Sequence, residues 1–164
     1  MTPGPETFFF KKSRFETYLP MHYRYARSHF WAERREANRL RLGFTRFATH
    51  LLGEIVDYNF ETPPQTPVRP GQILGWVEGF KAISDIICIG QGHFVAANPA
   101  LEEDTELISR VPYTEGWLYQ IDGRLDEHSL DVADYVHHLN NVIEEMLKQQ
   151  RADDLPHTSE SDIL

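Results

Sequence analysis

Only four lysines occur among the 164 residues, against twelve arginines. Lys11 and Lys12 lie near the N-terminus and Lys148 ends a helical pattern, which leaves Lys81 as the one lysine in the middle of the chain. It lies between two strand-like runs, residues 73–77 and 86–89. The intervening Glu78-Gly79-Phe80-Lys81-Ala82 is short enough to be a hairpin tip. A primary amine on such a tip stands exposed on a rigid platform. A modifying enzyme reaches it without unfolding anything, and amide formation turns it into a long arm. The plain alternative is a solvated turn lysine.

Other chemistries find less support. Ser84-Asp85 follows Lys81, but no histidine is close in sequence, and there is neither a Gly-x-Ser-x-Gly elbow nor a P-loop. Of the eight histidines, His137 and His138 are adjacent and point about 100° apart on a helix. His22 and His29 are seven apart in a strand-and-turn region, and no His-Glu-x-x-His run occurs. No metal site is expected. Cys88, the single cysteine, sits in an apolar run and reads as a small core residue. One cysteine excludes an internal disulfide framework and a multi-cysteine metal site, and points to a reducing, cytoplasmic setting.

The elements that must position Lys81 follow from periodicity. Arg39-Leu40-Arg41-Leu42 alternates as a half-buried strand does. Thr45 reads as the N-cap of a short helix with Phe47, Ala48, Leu51 and Leu52 on one stripe, and Gly53 as the residue just past its end. Residues 54–60 read as a strand, and 61–71, with four prolines, as a surface loop. Short strands are expected at 93–96 and 117–121. Asn98-Pro99 opens a short helix. Val132, Tyr135, Val136, Leu139, Val142, Ile143, Met146 and Leu147 mark a C-terminal amphipathic helix. The pattern predicts a mainly β fold, a small sandwich or flattened barrel with short inserted helices and a C-terminal helix.

The sequence divides into residues 1–21, an extension expected to be flexible; 22–148, one folded domain; and 149–164, an acidic tail expected to be disordered. The net charge of −9 argues against nucleic acid as a partner. The charge is uneven: residues 1–97 carry net +3 and residues 98–164 net −12. No apolar run approaches the ~20 residues of a membrane-spanning helix, so no membrane partner is expected. A monomer is expected.

The segment Val77-Glu78-Gly79-Phe80-Lys81-Ala82-Ile83-Ser84-Asp85 resembles the lipoyl-attachment motif of the glycine cleavage H-protein family, Val/Ala-Glu-Ser-Val-Lys-Ala-Ala-Ser-Asp. Tyr25 to Trp31 is similar to the family's opening Tyr…His-Glu-Trp. Leu42-Gly43-Phe44-Thr45 followed by Leu51-Leu52-Gly53-Glu54-Ile55-Val56 is similar to its Val-Gly-Ile-Thr, then Leu-Gly-Asp-Met-Val. Pro112-Tyr113-Thr114-Glu115-Gly116-Trp117 is similar to its Pro-Tyr-x-x-Gly-Trp. The likeness spans about residues 23–147.

The resemblance implies a biotinyl/lipoyl-type barrel-sandwich hybrid and a carrier that catalyses nothing itself. Lipoate would be amide-linked to Lys81, with Glu78, Gly79, Phe80, Ala82 and Asp85 forming the recognition surface of a lipoate-attaching enzyme. A biotin carrier, with Met on both sides of its lysine, is disfavoured by Phe80 and Ala82. An unmodified scaffold would leave Lys81 dispensable. The family's Ser-Val is Gly79-Phe80 here, and its second Ala after the lysine is Ile83. That form is closest to the H-protein-like lipoate-binding proteins of sulfur oxidation, whose partner is a heterodisulfide-reductase-like complex, and this branch is the leading expectation. The alternative is glycine cleavage, with glycine decarboxylase, aminomethyltransferase and dihydrolipoamide dehydrogenase as partners.

Overall fold

The computed structural model describes residues 6–154. β1 (Thr7–Lys12) and β2 (Phe15–Pro20) form an antiparallel hairpin. A six-stranded sheet follows, built from β3 (Arg24–Tyr25), β4 (Phe30–Arg34), β5 (Arg39–Phe44), β7 (Pro67–Val68), β10 (Gly90–Ala97) and β11 (Tyr119–Leu125), in the order β3-β4-β5-β11-β10-β7. A three-stranded sheet is formed by β6 (Ile55–Phe60), β8 (Ile73–Gly79) and β9 (Ile83–Ile87), in the order β6-β8-β9. The helices are α1 (Arg46–Leu52), α2 (Leu107–Arg110) and α3 (Val132–Asp154), with a 3-10 turn at Pro99–Glu102. This is the mainly β architecture with inserted helices and a C-terminal helix that the pattern predicts.

The two larger sheets enclose the main core. Leu40, Leu42, Phe94, Tyr119 and Ile121 come from the six-stranded sheet, and Leu74, Val77 and Ile86 from the three-stranded one. Burying apolar side chains from both faces is what holds two such sheets together. Cys88 lies in this core as a buried residue, its Sγ 3.1 Å from the Gly90 carbonyl.

A second cluster holds α3. Tyr135, Leu139 and Ile143, one side chain per turn, are its buried residues. They meet Tyr25, Trp31 and Phe47, and also Phe10, Phe15 and Leu19 of the β1–β2 hairpin. The Tyr25 and Tyr135 rings stack 4.7 Å apart. Lys12 and Glu144 form an ion pair at 2.8 Å between the hairpin and α3. The expected flexible extension is therefore corrected over residues 7–20: the alternate residues Phe15, Thr17 and Leu19 are buried, so the segment is an ordered wall of the molecule. Residues 1–5 lie outside the described residues. The expected disordered tail is corrected over residues 149–154, where α3 continues without a break; residues 155–164 lie outside the described residues.

α1 is tied in at both ends. At its N-terminus Thr45 is the N-cap, its hydroxyl accepting from the Ala48 N–H. The Thr45 hydroxyl also accepts from Tyr135 Oη at 3.0 Å, and Tyr135 Oη lies 2.8 Å from His29 Nδ1. His29 packs on Phe47 at 4.7 Å and on His138 at 5.5 Å. Burial, then the neighbouring His138, lowers the His29 pKa from 6.5 to about 4.

Two predictions follow from this packing. Leu19 and Leu139 are both fully buried. Leu19→Ala and Leu139→Ala should each cost ~2–5 kcal/mol in chemical denaturation. Wild-type stability of Leu19→Ala would mean that the hairpin is not part of the folded unit. Because the folded-state pKa of His29 is depressed, the unfolded chain binds more protons between pH 4 and 6.5. The stability contributed by neutral His29 is complete above pH 6.5 and is lost as pH falls toward 4. Urea unfolding at pH 7.5 and pH 5 should differ by about 2 kcal/mol on this account. His29→Asn, which tolerates the left-handed φ of 70°, should remove that difference.

Candidate functional site

Lys81 lies at the tip of the β8–β9 hairpin, as the spacing predicts. Glu78 pairs across from Ile83, and the Gly79 N–H donates to the Ala82 carbonyl at 2.9 Å, closing the turn. Lys81 and Ala82 are exposed, and the Phe80 ring is 73% exposed. Glu78, half-buried, and Asp85, exposed across from Trp76, share the solvent-facing side of the three-stranded sheet. The six residues expected at the site are therefore together. Gly79 alone is buried.

The tip is docked on the C-terminal end of α1. The last carbonyls of a helix have no partner within it and carry its negative partial charge. Here the hairpin supplies partners. The Lys81 N–H donates to the Leu52 carbonyl at 2.9 Å, and the Phe80 N–H to the Glu54 carbonyl at 3.0 Å. The Lys81 ammonium Nζ donates to the His50 carbonyl at 3.3 Å. Gly53, at φ 78°, makes the turn that brings these carbonyls outward, and the lysine stem passes over the face where its side chain would be. Gly79 is required for a different reason: a Cβ there would lie 2.1 Å from the Leu52 carbonyl oxygen.

An open cleft of ≈ 440 Å³ adjoins the lysine between α1 and α2. Its cations are already engaged. Arg46 donates to the carbonyls of Ser109 and Arg110, and Arg110 pairs with Asp104 and Glu106. His50 lines the same cleft, with its ring against Phe15 of β2 at 5.4 Å. Burial, then the Lys81 charge, lowers the His50 pKa.

Sequence reasoning missed His50, Leu52 and Gly53 as neighbours of the lysine. Gly53 was legible as a helix end, but nothing local says which hairpin that end meets. The other residues considered for chemistry do not join Lys81. Ser84 donates to the Asp85 carbonyl, His138 lies against the Arg27 carbonyl and His137 against Asn141.

The family model described as glycine cleavage H-protein matches residues 23–148. The chain belongs to this family. The glycine cleavage system H protein of Corynebacterium jeikeium is 38% identical over 110 residues, covering 64% of this chain and 84% of that protein. The same-named protein of Bacteroides fragilis is 37% identical over 103 residues, covering 63% and 80%. Among solved structures, a glycine cleavage system H protein from Mycobacterium marinum superposes with a TM-score of 0.66 at 28% identity, covering 74% of this chain and 98% of that one. The family is one of lipoyl carriers, and the chain is a carrier rather than a catalyst. These relatives carry the glycine cleavage name and lend no support to the sulfur-oxidation branch that Gly79-Phe80 favoured in the sequence. The β1–β2 hairpin and the last turns of α3 lie outside the matched span.

Gly79→Ser, which restores the family's residue, drives a side chain into the Leu52 carbonyl. It should destabilise the fold by ~1–3 kcal/mol and speed amide hydrogen exchange at Lys81. Unchanged melting together with unchanged exchange would show that the tip is not docked on α1.

Proposed function

We propose that this chain is the lipoyl carrier of a glycine cleavage system, with lipoate in amide linkage on Lys81. The reading rests above all on one coincidence. The residue at the motif lysine of a family that covers residues 23–148 is also an exposed amine on a hairpin tip held by main-chain bonds. The site's own chemistry suits the group: among the described residues Nζ makes no ion pair and has one carbonyl as its only hydrogen-bond partner. An amide nitrogen keeps one N–H, so the His50 carbonyl can still be satisfied after modification. When bound, lipoate supplies a redox-active dithiolane able to accept a one-carbon amine unit or electrons.

The protein's part is mechanical and recognitional. The docked tip presents the amine, and the body holds the base of the arm still while partner enzymes act on its far end. Tethering keeps a reactive group at high effective concentration beside each docked active site. Glu78 and Asp85, on the solvent face beside the tip, together with Phe80 and Ala82, form the surface read by the lipoate-attaching enzyme. Gly79 sets the tip's height above α1. Glycine decarboxylase, aminomethyltransferase and dihydrolipoamide dehydrogenase are the partners of this reading, and the compartment is cytoplasmic. Among the described residues no helix is long and apolar enough to cross a membrane.

Intact mass and peptide mapping of the chain from lipoate-replete cells test the assignment. The expected result is one lipoyl group on Lys81, absent from a folded Lys81→Arg variant, since arginine keeps the charge without an acylatable amine. Lipoate on Lys148, or on no lysine, would overturn it. Reductive loading by purified glycine decarboxylase then separates glycine cleavage from sulfur oxidation.

A further inference from the structure

We infer that the open edge of β1 is a docking strand. An extended segment of an enzyme that works on the arm pairs with it main chain to main chain, seating an apolar side chain on the Phe9–Tyr18 ring pair and a carboxylate toward Lys11 and Arg14. The inference rests on the carrier reading and adds to it a surface outside the matched family span.

The geometry begins with the ladder. β1 and β2 make a sheet of two strands, so each has one edge without a neighbouring strand. The Met21 N–H donates to the Glu6 carbonyl at 3.0 Å, which makes residues 6 and 21 a hydrogen-bonded pair. Such pairs alternate along an antiparallel ladder. Phe8, Phe10 and Lys12 therefore bond to β2, and the main-chain groups of Thr7, Phe9 and Lys11 point outward. Those groups have no partner among the described residues. β1 runs six residues without proline or bulge. The edge of β2 is cut short: Pro20 has no N–H, and its carbonyl accepts from Tyr25 Oη at 2.7 Å. An unpaired edge of this kind is a template for a further strand.

The side chains say what that strand carries. Thr7, Phe9 and Lys11 share the outer face of the hairpin with Glu16 and Tyr18, and all five are exposed. The Phe9 and Tyr18 rings lie 4.9 Å apart, 47% and 62% exposed. An apolar residue opposite Phe9 would be covered by both rings. Lys11, and Arg14 in the turn, form no ion pair among the described residues, so a carboxylate two positions from that anchor, on the same face, complements them. A second copy of the chain fits less well. A six-residue edge is about 20 Å long and buries well under the ~1,200 Å² of a stable dimer, and each copy carries a net charge of −9. A small contact suits a carrier that must leave one enzyme for the next. The hairpin also stands beside the root of the arm, since Phe15 rests on the His50 ring at 5.4 Å and the His50 carbonyl holds Nζ.

The test uses the lipoylated full-length chain with purified glycine decarboxylase and aminomethyltransferase, each in turn. Thr7→Pro removes an outward N–H from β1, Phe9→Thr removes the ring, and Glu16→Pro removes an N–H from the β2 edge as a control. Melting curves show whether each hairpin stays folded. Thr7→Pro and Phe9→Thr should raise the KM for the carrier about fivefold with at least one enzyme and leave kcat unchanged, and Glu16→Pro should match wild type. Hydrogen exchange gives a readout free of substitutions: the Phe9 and Lys11 amides of wild type should exchange fast in the free chain and slowly with saturating enzyme. Unchanged KM with both enzymes, exchange at Phe9 and Lys11 that neither enzyme slows, or an equal rise in Glu16→Pro would overturn the inference. So would protection that appears in the free chain together with a dimer in sedimentation, which gives the edge to a second copy. Loading of wild type by glycine decarboxylase alongside any of these results leaves the carrier reading standing. Failure to load wild type removes that reading and the inference with it.

Discussion

The structure turns on a short helix whose spent end meets a hairpin tip. α1 has seven residues, too few to be stable alone, and its carbonyls at that end need donors. The β8–β9 tip brings two main-chain N–H groups and an ammonium to the last turn and the residue pair beyond it. The contact serves both sides. It completes the helix, and it fixes a hairpin tip that would otherwise fray in water. A cation at a helix C-terminus also meets a favourable dipole. Two glycines make the approach possible, one by its φ and one by its missing Cβ.

At its other end α1 is tied to a different part of the molecule. Thr45, Tyr135 and His29 form a chain of hydrogen bonds joining the N-cap of α1 to α3 and to the β3–β4 turn. The same aromatic cluster receives Phe10, Phe15 and Leu19 from the N-terminal hairpin. The lysine is therefore supported through α1 by every layer outside the main two-sheet core. The N-terminal hairpin reaches furthest, since Phe15 touches both Phe47 and His50.

What the sequence made legible was what is written locally. Thr45 and Gly53 bracket α1, Asn98-Pro99 opens its turn, and the apolar stripe of α3 shows at helical spacing, because caps and periodicity depend on near neighbours alone. Lys81 stood out by scarcity and by its place between two strands. The β1–β2 hairpin did not. Three consecutive phenylalanines mask the alternation of β1, and the turn uses Ser13 at φ 57° in place of the usual Asn or Gly. Asp122 and Arg124 made the second half of β11 look like loop, although Asp122 pairs with Arg39 across the sheet at 2.6 Å. The end of α3 was hidden by polar residues that a solvent-exposed helix accepts freely. His50 was invisible for a deeper reason: its contact with Lys81 spans 31 positions and exists only because a helix end and a hairpin tip complete each other.

Two main-chain hydrogen bonds at the tip also decide how a tether can search. With the backbone of Phe80 and Lys81 pinned to Glu54 and Leu52, the pivot has almost no play, and all freedom begins at the lysine Cβ. On the proposed reading, the end of an arm attached to Lys81 would explore a cap-shaped shell with a fixed centre, shadowed on one side by the helix beneath it. A swaying pivot would smear that shell over a larger volume and dilute the arm's end in proportion. Rigidity at the root is therefore a concentration device: the stiffer the anchor, the smaller the space in which a docked enzyme must find its cargo.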